Sequence, residues 1–382
     1  MKKGRISAAR KALAIAVAIG SALLCAWPMN SAASASSSQD QRLGGRARPV
    51  ITLQWPQFFG AGNEKSRDSA PRVLIPGGQA IGVAIRTQGV LVVGAGDNGR
   101  DSLREGDMIL SVNGVPLLES AMLTEAVNAA QGQPLSLRIS RSGQESDLLL
   151  TPRYDESSRA WRLGVWVRDS TAGVGTLTYY DPATGAYGAL GHAITDSDTG
   201  SLLPVREGAL MQAEIVDVRR GQRGAPGELR GSFLREQVTL GTVLVNTVFG
   251  IYGHLDAPTA SALYPEGLPT ASRGQVHTGA ATILSTIAGQ EACEYAIEIT
   301  QVSRQSAAAP KSMVLRVTDE RLLSSTGGIV QGMSGSPILQ DGRIIGAVTH
   351  VFVSDPTQGY GVFIDWMLQQ SDALSTQQSE AA

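Results

Sequence analysis

The sequence predicts a mostly β protein, and two features of its composition carry that prediction. Of its 382 residues, 44 are glycine and only 5% are aromatic. Runs of Val, Ile, Leu and Thr alternate with glycine-rich turns, a pattern typical of short strands rather than of helical bundles. The chain is longer than the roughly 100 to 200 residues of one domain, so two folded units are expected.

The charge distribution argues against nucleic acid as a partner. The formal net charge is -2 at pH 7, and the basic cluster lies between Lys2 and Lys11. A nucleic-acid-binding domain would carry a basic patch on its folded surface. The two cysteines, Cys25 and Cys293, predict no disulfide in the folded part, because Cys25 lies in an apolar N-terminal run.

Residues 1–35 have the order of an export signal. Basic residues precede the uncharged run "ALAIAVAIGSALLCAWPM" at residues 12–29, and small residues follow at Ala33, Ser34 and Ala35. The run is also close to the ~20 residues that span a bilayer, so it fits both a cleaved signal peptide and a retained membrane anchor. Residues 36–72, rich in Ser, Gly, Arg and Pro, predict a flexible linker.

Residues 73–153 predict a small β domain with one helix. The three- and four-residue spacing that marks the helix is found at Leu118, Met122, Leu123, Ala126, Val127 and Ala130. The stretches "GGQAIGVAI", "GVLVV", "LREGDMILSVNGVPL" and "LSLRISRSGQ" resemble a bacterial PDZ domain. The resemblance implies that backbone N–H groups of Ala80, Ile81 and Gly82 cap a peptide carboxylate while a strand edge pairs with the peptide.

Residues 154–371 contain many more strand-like runs, including "RLGVWVRD", "VGTLTYY" and "TVLVNTVFGIYG". Such a density of short strands predicts a large antiparallel barrel or a pair of barrels. Residues 372–382 carry no sustained pattern and predict a disordered tail.

The stretch "GGIVQGMSGSPILQDGRIIGAVTH", residues 327–350, places Ser334 in a Gly-Met-Ser-Gly turn before an apolar strand. Glycine leaves room for the backbone N–H groups of Gly332 and Ser334 to converge on one point, as an oxyanion hole requires. The stretch resembles the nucleophile region of chymotrypsin-like serine proteases, which implies an antiparallel β-barrel protease domain. Met333 stands where digestive serine proteases carry Asp, so activation is expected to differ from theirs.

A nucleophilic serine needs a base, because its hydroxyl is weakly nucleophilic at neutral pH. Four histidines are available: His192, His254, His277 and His350. His192 is the best candidate, since "GALGHAITDSDTG" places it in a Gly- and Asp-rich loop after a strand. His350 lies inside the apolar run "AVTHVFV" and is expected to be structural.

A catalytic triad also needs a carboxylate that fixes the histidine tautomer. Asp319 is the candidate, because it ends the run "VLRVTD" shortly before Ser334, and one hairpin could bring the two together. The opposing interpretation is that Asp319 only caps the following turn. Other carboxylates stay open: Asp196, Asp198, Asp256 and Asp365.

The stretches "GALGHAITD", "RVTDERLL" and "GGIVQGMSGSPILQDGRIIGAVTHVFVSDPTQGYGVFIDWML" resemble the stage IV sporulation protein B peptidases of endospore-forming bacteria. The export segment and the PDZ-like unit occur in the same order. The resemblance implies an exported serine endopeptidase that acts between the two membranes around the forespore and cleaves its own N-terminal segment. It further implies cleavage of a regulatory subunit in a membrane-embedded complex that processes a sigma factor.

Other chemistries lack their usual residues. The sequence contains no His-Glu-x-x-His, no paired Cys-x-x-Cys and no Gly-x4-Gly-Lys-Ser/Thr motif, so neither a metal nor another cofactor is expected. The alternative from a different class is a PDZ scaffold at the membrane surface that has lost catalysis, and Met333 keeps that alternative open.

Overall fold

The computed structural model describes residues 71–96, 103–233, 239–258 and 261–381. The predicted signal or anchor (residues 1–35) and all but the end of the predicted linker (residues 36–72) lie outside these ranges. No helix in the described ranges is long and apolar enough to cross a membrane.

The described chain is dominated by strands, as the composition predicted. In chain order the strands are β1 (Val73–Pro76), β2 (Ala80–Ala95), β3 (Met108–Val112), β4 (Val115–Pro116), β5 (Leu135–Arg141), β6 (Gln144–Leu150), β7 (Arg153–Asp155), β8 (Ala160–Arg162), β9 (Val165–Tyr180), β10 (Ala186–Ala189), β11 (Val205–Arg219), β12 (Glu228–Phe233), β13 (Thr239–Thr247), β14 (Gly250–Leu255), β15 (Leu268–Pro269), β16 (Gly279–Ser285), β17 (Cys293–Val302), β18 (Met313–Val317), β19 (Pro337–Gln340), β20 (Arg343–Phe352) and β21 (Asp355–Phe363). The α-helices are α1 (Ser120–Ala130), α2 (Glu320–Thr326) and α3 (Ile364–Ala381).

The first barrel is a closed ring of antiparallel strands. Its strands pair in the order β9, β10, β14, β13, β11 and β2, and β2 closes the ring by pairing with β9. Alternate residues of these strands point inward and exclude water from the barrel centre. The buried inward-facing side chains include Ile81, Val83, Ile85, Leu177, Tyr187, Leu210, Val243 and Ile251.

The PDZ-like unit is inserted between two strands of this barrel. Strands β2 and β9 each run for 16 residues. Residues 80–86 of β2 pair with residues 170–176 of β9 in the barrel, and residues 91–95 pair with residues 165–168 in the PDZ-like unit. There the sheet continues through β3, β5 and β6, and α1 packs on it through Leu123 and Val127.

This topology corrects the expected domain limits. The sequence suggested a PDZ-like domain over residues 73–153, but residues 80–86 belong to the first barrel and residues 165–168 belong to the PDZ-like unit. The physical reason is that the runs "AIGVAI" and "GVLVV" form one continuous strand. Because β9 follows the same course, the two units share a two-stranded ribbon rather than a linker.

The second barrel is closed by β16, β17, β18, β21, β20 and β19, in that order around the ring. Its core is continuous with the packing of α3, where Ile364, Trp366 and Met367 are buried. The helix continues to Ala381, so the disordered tail expected at residues 372–382 is corrected. Leu374 packs against the core and Asp372 pairs with Arg72, which explains why the chain stays helical there.

Candidate active site

The turn that carries Ser334 lies between α2 and β19 and is held by the first barrel. The Thr176 amide donates to the carbonyl of Ser334 at 3.0 Å. The Thr176 hydroxyl donates to the Gly332 carbonyl, and the Thr178 hydroxyl donates to the Gly335 carbonyl, both at 2.8 Å. Strand β9 therefore positions a turn that belongs to the second barrel.

Gly335 is required by this contact between the barrels. Its φ is +96°, and a Cβ added there would lie 2.2 Å from the Thr176 carbonyl oxygen and 2.5 Å from the Leu190 amide nitrogen. Both atoms belong to backbone, which cannot move aside as a side chain could. Only glycine fits at this position.

Two backbone donors of the turn point to no protein acceptor. The amides of Gly332 and Ser334 form no hydrogen bond with any residue that the structure describes. By contrast, the Met333 amide donates to the Val330 carbonyl and the Gly335 amide donates to the Val348 carbonyl. Two unpaired N–H groups on either side of a buried Met333 can bind a developing oxyanion.

The Ser334 hydroxyl rests on the second barrel. Its Oγ donates to the Thr349 carbonyl at 2.7 Å, and the residue is half-buried. Attack on a substrate would require the hydroxyl to leave this acceptor and donate to a base. Catalytic hydrogen bonds are often unformed in a free enzyme, so this geometry is compatible with a resting nucleophile.

His192 lies in the loop after β10, where Leu190 and Gly191 both adopt positive φ values. Its Nδ1 lies 2.8 Å from the Ala193 carbonyl oxygen. Because a carbonyl only accepts, Nδ1 carries the proton and Nε2 keeps its lone pair for a second partner. Burial lowers the pKa of His192, while the Ala193 carbonyl acts in the opposite direction.

His192 and Ser334 each contact one of two adjacent residues of β20, Thr349 and His350. Ser334 contacts Thr349, and the ring centroids of His192 and His350 are 5.0 Å apart. The sequence suggested a structural His350, but solvent reaches its side chain. Partial desolvation of the ring, together with the nearby His192 and Lys311, lowers the pKa of His350, so the ring is neutral at pH 7.

Asp319 serves as a helix cap and does not contact His192. Its carboxylate accepts from the Arg321 amide at 2.9 Å and the Ala296 amide at 3.2 Å, and it pairs with the Arg321 guanidinium at 2.8 Å. These contacts, led by Arg321, hold the pKa of Asp319 well below its usual range. The expected hairpin is also absent, because β18 and β19 lie on opposite sides of the second barrel. The capping interpretation therefore fits Asp319 better than the triad role.

The other carboxylates considered from the sequence are engaged elsewhere. Their partners are Arg168 for Asp196 and Asp198, the Thr239 hydroxyl for Asp256, and the Arg273 amide for Asp365. In the described part of the chain, no carboxylate forms a hydrogen bond or ion pair with His192. The group that fixes the His192 tautomer is therefore a backbone carbonyl, which no residue pattern in a sequence could reveal.

The two remaining histidines lie on other parts of the barrels. His254 is in β14, whose backbone pairs with β10 and β13. The exposed His277 pairs with Asp341 at 2.9 Å.

The expected peptide-binding residues are not at a free edge. Ala80, Ile81 and Gly82 lie in β2, which pairs with β9 on one side and with β11 on the other. Their backbone groups are engaged in the barrel, so they cannot also pair with a peptide. This corrects the proposed carboxylate-capping site.

A free edge beside α1 occurs instead at residues 165–168 of β9. In the described chain these residues pair only with β2. Helix α1 lies beside β9 here, and the Ser120 amide at its start donates to Asp169, the residue after this edge, at 2.6 Å. The half-buried apolar side chains here are Met122, Ala126, Val165 and Val167. The run "RLGVWVRD" was the available signal, but only the strand pairing shows that its edge is open.

No cluster of His, Cys, Asp or Glu in the described ranges could hold a metal ion. The serine hydroxyl, the histidine with a free Nε2 and the two unpaired backbone amides together offer nucleophilic attack by a serine with a histidine base and backbone oxyanion donors.

A search of curated proteins found no match. Among solved structures, the chain is similar to the PDZ domain of the SdrC-like protein from Listeria monocytogenes. The two sequences are 16% identical, the alignment covers 21% of this chain and 87% of that chain, and the TM-score is 0.20. It is also similar to the active form of the Rv3671c protease from M. tuberculosis, with 14% identity, 53% of this chain and 74% of that chain covered, and a TM-score of 0.29. The family described as SpoIVB peptidase S55 matches residues 159–368, more than half of the chain. The chain therefore belongs to the SpoIVB peptidase S55 family and is a serine peptidase.

Proposed function

We propose that Ser334 is the nucleophile and His192 the general base of an endopeptidase that cleaves protein substrates. The observation that carries this proposal is the turn itself. It presents the Ser334 hydroxyl next to the unpaired amides of Gly332 and Ser334. The hydroxyl contacts Thr349, and the next residue of that strand, His350, packs against His192.

Acylation begins when the Ser334 hydroxyl rotates from Thr349 toward Nε2 of His192. Oγ attacks the peptide carbonyl carbon, and Nε2 takes the hydroxyl proton. The carbonyl oxygen becomes an oxyanion that the amides of Gly332 and Ser334 stabilise. Collapse of the tetrahedral intermediate breaks the C–N bond, and the His192 imidazolium gives its proton to the leaving amine.

Deacylation repeats the sequence with water. Neutral His192 takes a proton from the attacking water, and the second tetrahedral intermediate expels Ser334, which recovers its proton from the imidazolium. The Ala193 carbonyl keeps Nδ1 protonated throughout, so Nε2 is always the nitrogen that exchanges the proton. A carbonyl stabilises the imidazolium less than a carboxylate does, because it carries only a partial charge.

The physiological role that we infer is signalling by proteolysis during endospore formation. The proposed substrates are the N-terminal segment of the chain itself and a membrane-protein regulatory subunit of a sigma-factor-processing complex. The proposed location is the space between the two forespore membranes, reached by export through residues 1–35, with residues 12–29 as a membrane anchor wherever they are not removed. Membership of the SpoIVB peptidase family and the export-like N-terminus support this role.

The nucleophile is tested by comparing Ser334→Ala with Ser336→Ala. Both serines lie in the same turn, but Ser336 is fully buried and its hydroxyl has no partner in the described chain. Ser334→Ala should lower kcat/KM by about 10⁴-fold or more, while stability changes by no more than about 1 kcal/mol. Ser336→Ala should keep kcat/KM within about threefold.

The measurements are self-cleavage, cleavage of a candidate partner protein, labelling by a fluorophosphonate and thermal melting. A normally folded Ser334→Ala protein that still cleaves would remove Ser334 from the mechanism. A wild-type protein that neither reacts with the probe nor cleaves, yet supports sporulation, would favour the scaffold alternative instead.

A further inference from the structure

Arg168 lies where β9 leaves the PDZ-like unit and enters the first barrel. It pairs with Leu91 inside the PDZ-like sheet, and two residues later Ser170 pairs with Arg86 inside the barrel. The Arg168 guanidinium forms ion pairs with Asp196 and with Asp198, the latter at 2.8 Å. Both aspartates follow His192 in the same loop.

The Asp196 carboxylate organises that loop. Its Oδ1 accepts from the Asp198 and Thr199 amides, each at 3.0 Å, while Oδ2 faces Arg168. The side chain is completely buried, and a buried carboxylate left without its cation is strongly unfavourable. The loop conformation seen here therefore depends on Arg168.

The loop is also fixed from the barrel side, close to His192. The buried Asn246 side chain accepts from the Ile194 amide at 2.9 Å and donates to the Ile194 carbonyl at 2.7 Å. Ile194 is two residues after His192, and Asp196 is four residues after it. The segment that carries the base is thus held by Asn246 from the barrel and by Arg168 from the part of β9 in the PDZ-like unit.

Asp169, the neighbour of Arg168 in β9, contacts helix α1. Its carboxylate accepts from the Ser120 amide at the start of α1. Adjacent residues of β9 therefore contact the helix beside the open strand edge and the loop of His192. A two-residue stretch of one strand joins the PDZ-like unit to the catalytic loop.

We propose that Arg168 is a positioning residue for His192, through which the PDZ-like unit holds the base in its reactive place. This inference rests on the proposed role of His192 as general base. Arg168 acts through Asp196 and the loop, so its loss should reduce turnover more than substrate binding. Small displacements of a catalytic group can lower rates by about 100-fold.

The chain offers a closely matched control within the PDZ-like unit. Arg141 pairs with the buried Asp107, and the two arginines are similarly exposed, at 34% and 36% of the side chain. Asp107 and Asp196 are exposed by 1% and 0%. Replacing either arginine leaves a buried carboxylate without its cation, but of the two arginines only Arg168 pairs with the His192 loop.

The experiment compares Arg168→Gln with Arg141→Gln in the full chain, at a temperature where both are folded. We expect Arg168→Gln to lower kcat and the rate of Ser334 labelling by a fluorophosphonate about 10- to 100-fold, with KM within about threefold. Arg141→Gln should melt at a similarly reduced temperature but keep kcat within about threefold. Equal kcat values for the two variants would overturn the inference.

Two further variants keep the test decisive. Arg168→Gln combined with Asp196→Asn replaces the ion pair by two amides that can bond each other, and it should recover at least about tenfold of the lost kcat. If Arg168→Gln does not fold, Asp198→Asn removes only the exposed partner. It should lower kcat about two- to fivefold with an unchanged melting temperature, and an unchanged kcat would refute the role.

The two proposals fail in different ways. If wild-type protein is neither labelled at Ser334 nor cleaves a peptide, the assignment of the active site is wrong, whatever Arg168 does. If the wild type reacts normally and Arg168→Gln reacts equally well, only the positioning role is wrong.

Discussion

The two barrels have the same number of strands but differ in how the chain builds them. The second barrel closes within one continuous segment, from β16 to β21, and carries the Ser334 turn. The first barrel is interrupted between β2 and β9 by the PDZ-like unit and carries the His192 loop. The proposed nucleophile therefore belongs to a self-contained unit, and the proposed base belongs to a unit whose strands are shared with the PDZ-like unit.

This difference separates two kinds of control over one active site. A disturbance in the PDZ-like unit reaches β2 and β9 directly, because each is a single continuous strand through both units. It reaches Ser334 across the contact between the barrels, through the hydrogen bonds of Thr176 and Thr178 and through the backbone hydrogen bond from Leu229 to Gln331. We therefore expect changes in the PDZ-like unit to alter the position of His192 more than that of Ser334.

The largest effect that tests this comparison is predicted for Gly335, at the contact between the barrels. Gly335→Ala places a methyl group against the Thr176 carbonyl and the Leu190 amide, so the barrels must separate or the turn must change. We expect a loss of about 3 kcal/mol or more in unfolding free energy and at least about 100-fold in kcat/KM.

Gly342 is the matched control, because it also has a positive φ, of +70°, but a Cβ added there would meet no atom of a distant residue within 4 Å. Gly342→Ala should cost only about 1 kcal/mol and leave kcat/KM nearly unchanged. Chemical denaturation and peptide cleavage of both variants give the comparison. Equal losses of stability and of kcat/KM in the two variants would show that Gly335 is needed for the turn conformation and not for the contact between the barrels.

The pH dependence of kcat/KM and of stability tests His192, the proposed base in the first barrel. His192 must be neutral to accept a proton, and burial lowers its pKa below the ordinary value of about 6.5. The acid limb of kcat/KM should therefore lie below pH 6.5. Stability should also fall as pH drops below about 6.5, because the unfolded chain then binds a proton that folded His192 resists.

The control for this profile is His277→Gln on the second barrel. The Thr278 carbonyl and Asp341 raise the pKa of His277. Its side chain is exposed and pairs with Asp341, so it has no proposed part in proton transfer. The acid limb should stay in place in this variant. A limb above pH 6.5, or one that disappears with His277, would contradict His192 as the titrating base.

The smallest effect is predicted for Asp319. Asp319→Ala removes the cap of α2 and the pair with Arg321, which should cost about 0.5 to 2 kcal/mol of stability. Because the carboxylate does not contact His192, kcat/KM of the folded variant should stay within about threefold. A loss approaching that of Ser334→Ala, measured below the melting temperature, would return Asp319 to the catalytic machinery.

Local patterns in the sequence were sufficient for several features. The helical spacing around Leu123 and Val127 predicted α1, and the Gly-Met-Ser-Gly turn identified Ser334 as the candidate nucleophile. The sequence also held a signal for the role of Asp319, since Asp followed by Glu320 is typical of a helix start. The sequence analysis nevertheless placed Asp319 in a catalytic triad, because a carboxylate was expected between the candidate histidine and the candidate serine.

The sequence by itself determined the strand-rich class, the serine in its glycine turn and the histidine loop, because these depend on residue type and spacing within short stretches. Only the tertiary structure decided that residues 80–86 close a barrel, that the edge at residues 165–168 stays open, and that Arg168 reaches Asp196. The physical reason is that strand partners are chosen by packing and hydrogen bonding between distant segments. A strand's own residues show which faces are apolar, but not which neighbours its two edges will meet.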